Sequence, residues 1–155
     1  MGKGCAPVEI EIGEEKDVHR DVRISVRDMT KIRVMYENIM SYASHGLFVR
    51  EGEIIGAGIA EEAMLSGKEN YFERVGGILK QRGWVGEIVF GEDEVVVYGS
   101  AEAFYPTGRL ECVCHRLRGI IAAIYSKYMG LRVSCHEVDC ASINGEKCVF
   151  KIEVK

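Results

Sequence analysis

The sequence has no excess of basic residues: 20 Lys and Arg face 24 Asp and Glu, for a formal net charge of -4. A nucleic-acid partner, which needs a basic footprint, is therefore not expected. No apolar run approaches the roughly 20 residues of a membrane span. The opening residues carry no basic segment followed by an apolar one, and Ala6 stands where a myristoylation signal wants Ser or Thr. No leader, anchor or membrane association is expected, and the default location is cytoplasmic. Internal repeats, low-complexity segments and linkers are also missing, as are a C-x-x-C pair, a Ser/His/Asp set and a placed acid–base carboxylate pair. Gly56-x-Gly58 lacks the third glycine of a dinucleotide fingerprint and reads as a turn.

What is present is ordinary in bulk. With 155 residues, 47% hydrophobic and 28% charged, the chain is expected to make a single domain, 1–155, around one core. Val8, Ile10 and Ile12 alternate with glutamates, and Val22, Ile24 and Val26 alternate with polar residues, which predicts two short strands. Asp28 or Thr30 can cap a helix with Ile32, Met35, Tyr36, Ile39, Met40 and Ala43 on one inward stripe. Gly46 is expected to end it, with His45 as a helix C-terminal residue favourable to the dipole. After Gly52, Gly56 and Gly58 a short helical run, Ala60 to Leu65, is predicted to stop at Gly67. A helix over about 69–81 turns Phe72, Val75 and Leu79 inward, weakened by Gly76-Gly77, which permit a close neighbour or ligand.

From Trp84 the pattern becomes strands, 84–90 and 94–104, around the turn Gly91-Glu92-Asp93-Glu94. Pro106-Thr107-Gly108 breaks the chain before a long helix whose Leu110, Cys114, Leu117, Ile121, Ile124 and Tyr128 share a face, ending at Met129-Gly130. Strands 131–138 and 147–154 follow, joined through Asn144-Gly145, a strong hairpin signal. Hairpins instead of alternating β-α-β units predict an α+β fold, an antiparallel sheet with helices packed on one side.

Four of the six cysteines fall within 114–148. Cys114 lies on the helix face, Cys148 is in phase with Phe150, Ile152 and Val154, and Cys140 can neighbour Cys148 across the hairpin. Glu137 and Cys140, three apart, would point to opposite faces of a regular strand, so they converge only if it bulges near Val138-Asp139. In a reducing compartment such cysteines are either metal ligands or buried thiols, and the residues alone leave both readings open. His115 and His136 adjoin this set but point away from it, in surface or supporting roles. Cys112 and Cys135 are left as inert thiols.

The stretch Cys114 to Ile152, with Leu117, Gly119, Tyr125-Ser126, Met129-Gly130, Glu137-Val138, Cys140 and Cys148, resembles the C-terminal half of the 4-vinyl-reductase domain family. It is especially similar to the sensing domains of phenol- and toluene-responsive bacterial transcription activators. A close resemblance covers about a quarter of the chain, and a looser one the half from Trp84 on, 84–154. It implies zinc held by Cys114, Glu137, Cys140 and Cys148, in a closed structural site. It also implies a fold shared with haem nitric oxide sensors and vesicle-tethering subunits, enclosing a cavity for a small hydrophobic or aromatic molecule. Trp84, Phe90, Tyr98, Phe104, Tyr105, Tyr125 and Tyr128 are the candidate lining, although such a set also serves plain core packing. Glu92-Asp93-Glu94 stands where the phenol sensors carry a ligand-orienting tryptophan, and their histidine has no counterpart, which argues against phenol itself. The expectation is a zinc-stabilised sensor or carrier. With no DNA-binding or ATPase segment, its output would pass through a protein partner or its own homodimer. The alternatives are a reductase acting on a vinyl group in tetrapyrrole synthesis, for which no nucleotide motif appears, and an interaction subunit with a lipid- or side-chain-filled cavity. An enzyme is the weaker expectation.

Overall fold

The centre of the fold is a helix that is apolar around most of its circumference. It is α4 (His115–Met129), following α1 (Val26–Met40), α2 (Ala43–Met64), α3 (Tyr71–Gln81), β1 (Glu87–Phe90) and β2 (Glu94–Tyr98), and preceding β3 (Val133–Asp139), α5 (Ala141–Asn144) and β4 (Lys147–Val154). The computed structural model describes residues 21–104 and 110–155. The expected strand at Val8, Ile10 and Ile12, Tyr105, and the Pro106-Thr107-Gly108 break lie outside them. The strands form one antiparallel sheet in the order β1-β2-β4-β3. Val95 and Val97 of β2, Cys148, Phe150 and Ile152 of β4, and Val133 and Cys135 of β3 are its buried residues. Strand alternation puts each set on one face. Leu117, Ile120, Ile121 and Ile124 of α4 join them in one core, and α2 packs along the other side of α4. A helix covered on both sides has little need of a polar stripe, and α4 accordingly buries nine of its 15 residues. The fold is α+β, as expected.

The helix α2 corrects the sequence reading. Gly46 does not end a helix and Gly56-x-Gly58 is not a turn; Gly46, Gly52, Gly56 and Gly58 all lie inside one helix of 22 residues. Two of them face α4 at backbone contact. A Cβ added at Gly52 would sit 2.0 Å from the carbonyl oxygen of Arg116, and one at Gly56 would sit 2.6 Å from that of Ile120. From the other side, a Cβ at Gly119 would sit 2.1 Å from the carbonyl oxygen of Val49. Close helix packing thus offsets a propensity cost of about 1 kcal/mol per glycine. The break falls earlier, at Ser41, whose φ of 54° turns the chain between α1 and α2. His45 consequently sits in the first turn of α2, not at a helix C-terminus.

Two further expectations fail near the start. Val22, Ile24 and Val26 do not form a strand: residues 21–25 are irregular, and Ser25 caps α1 by accepting from the Asp28 N–H at 3.0 Å. The apolar stripe of α1 is not inward either, with Met35 49% and Ile39 73% exposed, while Arg33 is its one buried residue. Polar chemistry docks this helix. Arg33 lies beside Glu102 and Arg116, and the Glu102 carboxylate accepts from the N–H groups of Arg116 (3.1 Å) and Leu117 (2.8 Å). A carboxylate there satisfies first-turn donors of α4 and opposes its dipole. Burial still pushes the Glu102 carboxyl up to about 7, against the pull of those N–H bonds and of the Arg116 and Arg33 guanidiniums.

Strand lengths also shift. Residues 99–104 leave the sheet after β2, and Leu110 lies ahead of α4, 86% exposed, not on its inner face. The C-terminal hairpin carries a helical turn, α5, before Gly145 turns the chain at φ 73°.

Candidate functional site

Cys114, Glu137, Cys140 and Cys148 meet beneath the N-terminus of α4. One ligand-capable atom from each lies within 4.8 Å of all the others. Cys114 is the residue that caps α4, not a member of its interior face, and its N–H donates to Glu137 Oε2 at 3.0 Å. Glu137 and Cys140 converge because the β3–β4 register shifts between Glu137 and Asp139. That irregularity is what the spacing of three demanded. Cys140 then ends β3 in an extended conformation and opens α5. Cys148 pairs with Val97 of β2, and its side chain is fully buried.

The three sulfurs crowd together. Cys114 Sγ is 3.6 Å from Cys148 Sγ, which is 4.0 Å from Cys140 Sγ. Polar groups the sequence reading did not single out surround them. The Ser100 hydroxyl lies 3.2 Å from Cys114 Sγ, the Ser142 hydroxyl donates to Cys140 Sγ at 3.1 Å, and the Ala141 N–H donates to Cys148 Sγ at 3.3 Å. Ser142 was within reach of inference, two residues after Cys140; nothing in the pattern marked Ser100. Hydrogen bonds from Cys114 and Cys148 hold the Cys140 thiol far below its usual range, so it is the thiolate of the set. Burial raises the Cys114 thiol well above its ordinary value. Burial also pushes the Glu137 carboxyl up to about 8. Its Oε1 is buried with no hydrogen-bond partner. An orphaned carboxylate oxygen beside three contacting sulfurs is the donor set of a tetrahedral thiolate-rich metal site, so these residues fit a zinc ion.

The aromatic residues gather only in part. Phe90, Tyr125 and Tyr128 surround Phe72, with ring centroids at 5.0, 5.0 and 4.6 Å from it. Tyr71 stacks on Tyr128 at 5.4 Å. Phe72 and Tyr71 come from α3 and were not among the candidate lining residues. Trp84 packs, half-buried, against the core. Tyr98 falls on the opposite face of β2 from Val95 and Val97, 40% exposed, and Phe104 is 64% exposed. The Tyr125 hydroxyl donates to the Gly91 carbonyl at 2.6 Å and the Tyr71 hydroxyl to that of Ile124 at 2.9 Å. Gly76 faces Ile88 and Phe90 at ordinary contact distance.

Of the other candidates, His136 is on the surface, 3.8 Å from Glu153. His115 is not: it is 6% exposed and stacks on His45. Burial lowers its imidazole to about 3. Cys112 is half-buried and Cys135 buried, both free, and burial pushes each thiol up to about 12. Thiols so raised are unreactive at neutral pH.

The geometry defines an α+β domain with a three-cysteine, one-glutamate cluster stapling a helix N-terminus to a hairpin. All four residues fall within 94–154, the stretch that matches the 4-vinyl-reductase domain model, and the resemblance to that family is thereby shown. Among solved structures, the chain is similar to the phenol-responsive sensory domain of the transcription activator PoxR with phenol. The TM-score is 0.75 at 19% identity, over 87% of this chain and 77% of that one. It is also similar to a vinyl-4-reductase family protein from Methanocaldococcus jannaschii, with TM-score 0.61 at 12% identity over 88% of this chain and 85% of that one. No curated protein matches the sequence. No helix among the described residues is long and apolar enough to cross a membrane.

Proposed function

We propose that the chain is a single, zinc-stabilised domain that captures a small hydrophobic or aromatic molecule and acts as a sensor or carrier. The observation that carries this is the convergence of Cys114, Glu137, Cys140 and Cys148 on one point, with Glu137 Oε1 left without a partner. Zinc there would fix the start of α4 against the β3–β4 hairpin, and four protein ligands leave no open position for catalysis. The cluster of Phe72, Phe90, Tyr125 and Tyr128, at the far end of α4, offers the apolar surface for the ligand. The likeness to a phenol-responsive sensory domain supports the same reading.

Native mass spectrometry of the purified protein tests it in one measurement. One zinc per chain is expected, together with a retained small apolar molecule or uptake of toluene as a probe. A chain without metal that binds no toluene would overturn the reading. The contacts among those rings favour one second reading, an interaction subunit whose apolar space is filled by its own side chains. In that case zinc is present but toluene neither binds nor shifts the melting temperature.

The same spectra count subunits. The exposed Met35, Tyr36, Ile39 and Met40 of α1 are the surface that the proposed homodimer would cover. Ile39→Asp is expected to shift the mass to a monomer while zinc content stays at the wild-type level. A dimer that persists in this variant places the interface elsewhere.

A further inference from the structure

Glu37, His45 and His115 come from three elements: the last turn of α1, the first turn of α2 and the first residue of α4. Their ligand-capable atoms also lie within 4.8 Å of one another. His45 Nε2 is 3.2 Å from Glu37 Oε1. The rings of His45 and His115 stack with centroids 3.9 Å apart and planes 21° from parallel. The site is enclosed, with the His45 and Glu37 side chains only 17% and 7% exposed. His115 Nε2 is buried and has no hydrogen-bond partner. Leaving such a group unsatisfied costs about 1–3 kcal/mol, so its place in a fold calls for a physical reason.

We propose that Glu37, His45 and His115 form a second metal site, taking a divalent transition ion of zinc's kind, separate from the cysteine cluster. Two imidazoles and a carboxylate suit zinc, cobalt and nickel, while the thiolate set favours softer ions. Ligands about 2.0–2.1 Å from a tetrahedral ion stand about 3.3 Å apart. The His45 to Glu37 separation is already close to that value. Bringing in His115 requires its ring to turn out of the stack, and the terminal imidazole torsion is broad enough to permit it. Three protein ligands leave a fourth position for water or an exogenous donor. The Arg33 and Arg118 guanidiniums oppose a cation here, while Glu37 supplies charge and Glu51 holds Arg116 at 2.6 Å. The site is therefore weaker than the thiolate cluster and exchanges its ion more readily. Its consequence is mechanical: α1 buries only Arg33, and an ion held by all three residues would pin it to α2 and α4.

The test uses the zinc-loaded full chain titrated with Co²⁺, read by visible absorption and native mass spectrometry. The expected result is one additional equivalent of cobalt per chain, with d–d bands and no thiolate-to-cobalt charge-transfer band. His45→Ala and Glu37→Gln are expected to lose that equivalent and keep the zinc. Glu37→Gln retains the shape of the site and an acceptor for His45, so it separates loss of metal from loss of fold. Absence of the extra equivalent in the wild type overturns the proposal. So does equal uptake by both variants, or cobalt that enters only with a thiolate band, the mark of exchange into the cysteine cluster.

Discussion

Cys148→Ser is expected to lose most of its zinc and to melt well below the wild type. Cys148 is fully buried and touches both other sulfurs, at 3.6 and 4.0 Å, so a hydroxyl there removes one thiolate and leaves the others facing each other. The Ala141 N–H, which donates to this sulfur, loses its acceptor at the same time. Removing one member of a buried, mutually compensating set costs on the order of 3–5 kcal/mol. For a domain of this size that is a fall in Tm of roughly 10 °C. The loss should be local as well as global, with faster amide exchange in β4 and α5, because the cluster is what ties the hairpin to α4. Cys112→Ser and Cys135→Ser are the controls: neither residue belongs to the cluster, and both should keep full zinc. Equal zinc content and equal melting temperature in Cys148→Ser would sink the metal assignment.

The glycines of α2 and α4 make the second large prediction, one of opposite signs within a single helix. Gly52→Ala and Gly119→Ala drive a methyl to within 2.0 and 2.1 Å, respectively, of a backbone carbonyl oxygen on the facing helix. Backbone cannot swing aside as a side chain does, so the two helices must separate along their whole contact. Overpacking usually costs 1–3 kcal/mol, and here a cost above about 3 kcal/mol is expected, or failure to fold. Gly46→Ala and Gly58→Ala lie in the same helix with nothing within 4 Å of the new methyl. They should stabilise the protein by up to about 1 kcal/mol through helix propensity. Urea denaturation of the four variants reads both signs. A common direction for all four would mean that the α2–α4 contact is not as close as described.

These glycines also show where sequence reading misled and why. Local rules treat glycine as a helix breaker, and by that measure Gly46, Gly52, Gly56 and Gly58 dissolve α2 into turns. The rule weighs only the helix itself. The compensation lies on α4, far along the chain, and no local pattern contains it. The reading of α1 failed in a related way. Its spacing described an amphipathic helix correctly, but spacing names a stripe without naming what covers it. The side that docks within this chain is that of Arg33, and the apolar stripe faces outward.

The histidines divide the same way. His115 was set aside because it points away from the cysteines, and it does. Only the packing of α1 and α2 brings Glu37 and His45 to that same side. The aromatic candidates taken from the C-terminal half alone omitted Phe72 and Tyr71, since membership of that cluster depends on where α3 crosses β1.

By itself the sequence determined the C-terminal half: the β1–β2 turn, the α4 stop at Gly130, the two last strands, and the requirement for a bulge between Glu137 and Cys140. Each of these rests on short-range geometry, strand alternation, a left-handed glycine or a spacing of three, which the chain carries in adjacent residues. The cysteine cluster was legible for that reason. Only the tertiary structure decided that α2 is continuous, that Cys114 caps α4, and that Glu37, His45 and His115 share a point. Those outcomes depend on helices meeting at backbone distance, a contact between residues far apart in sequence.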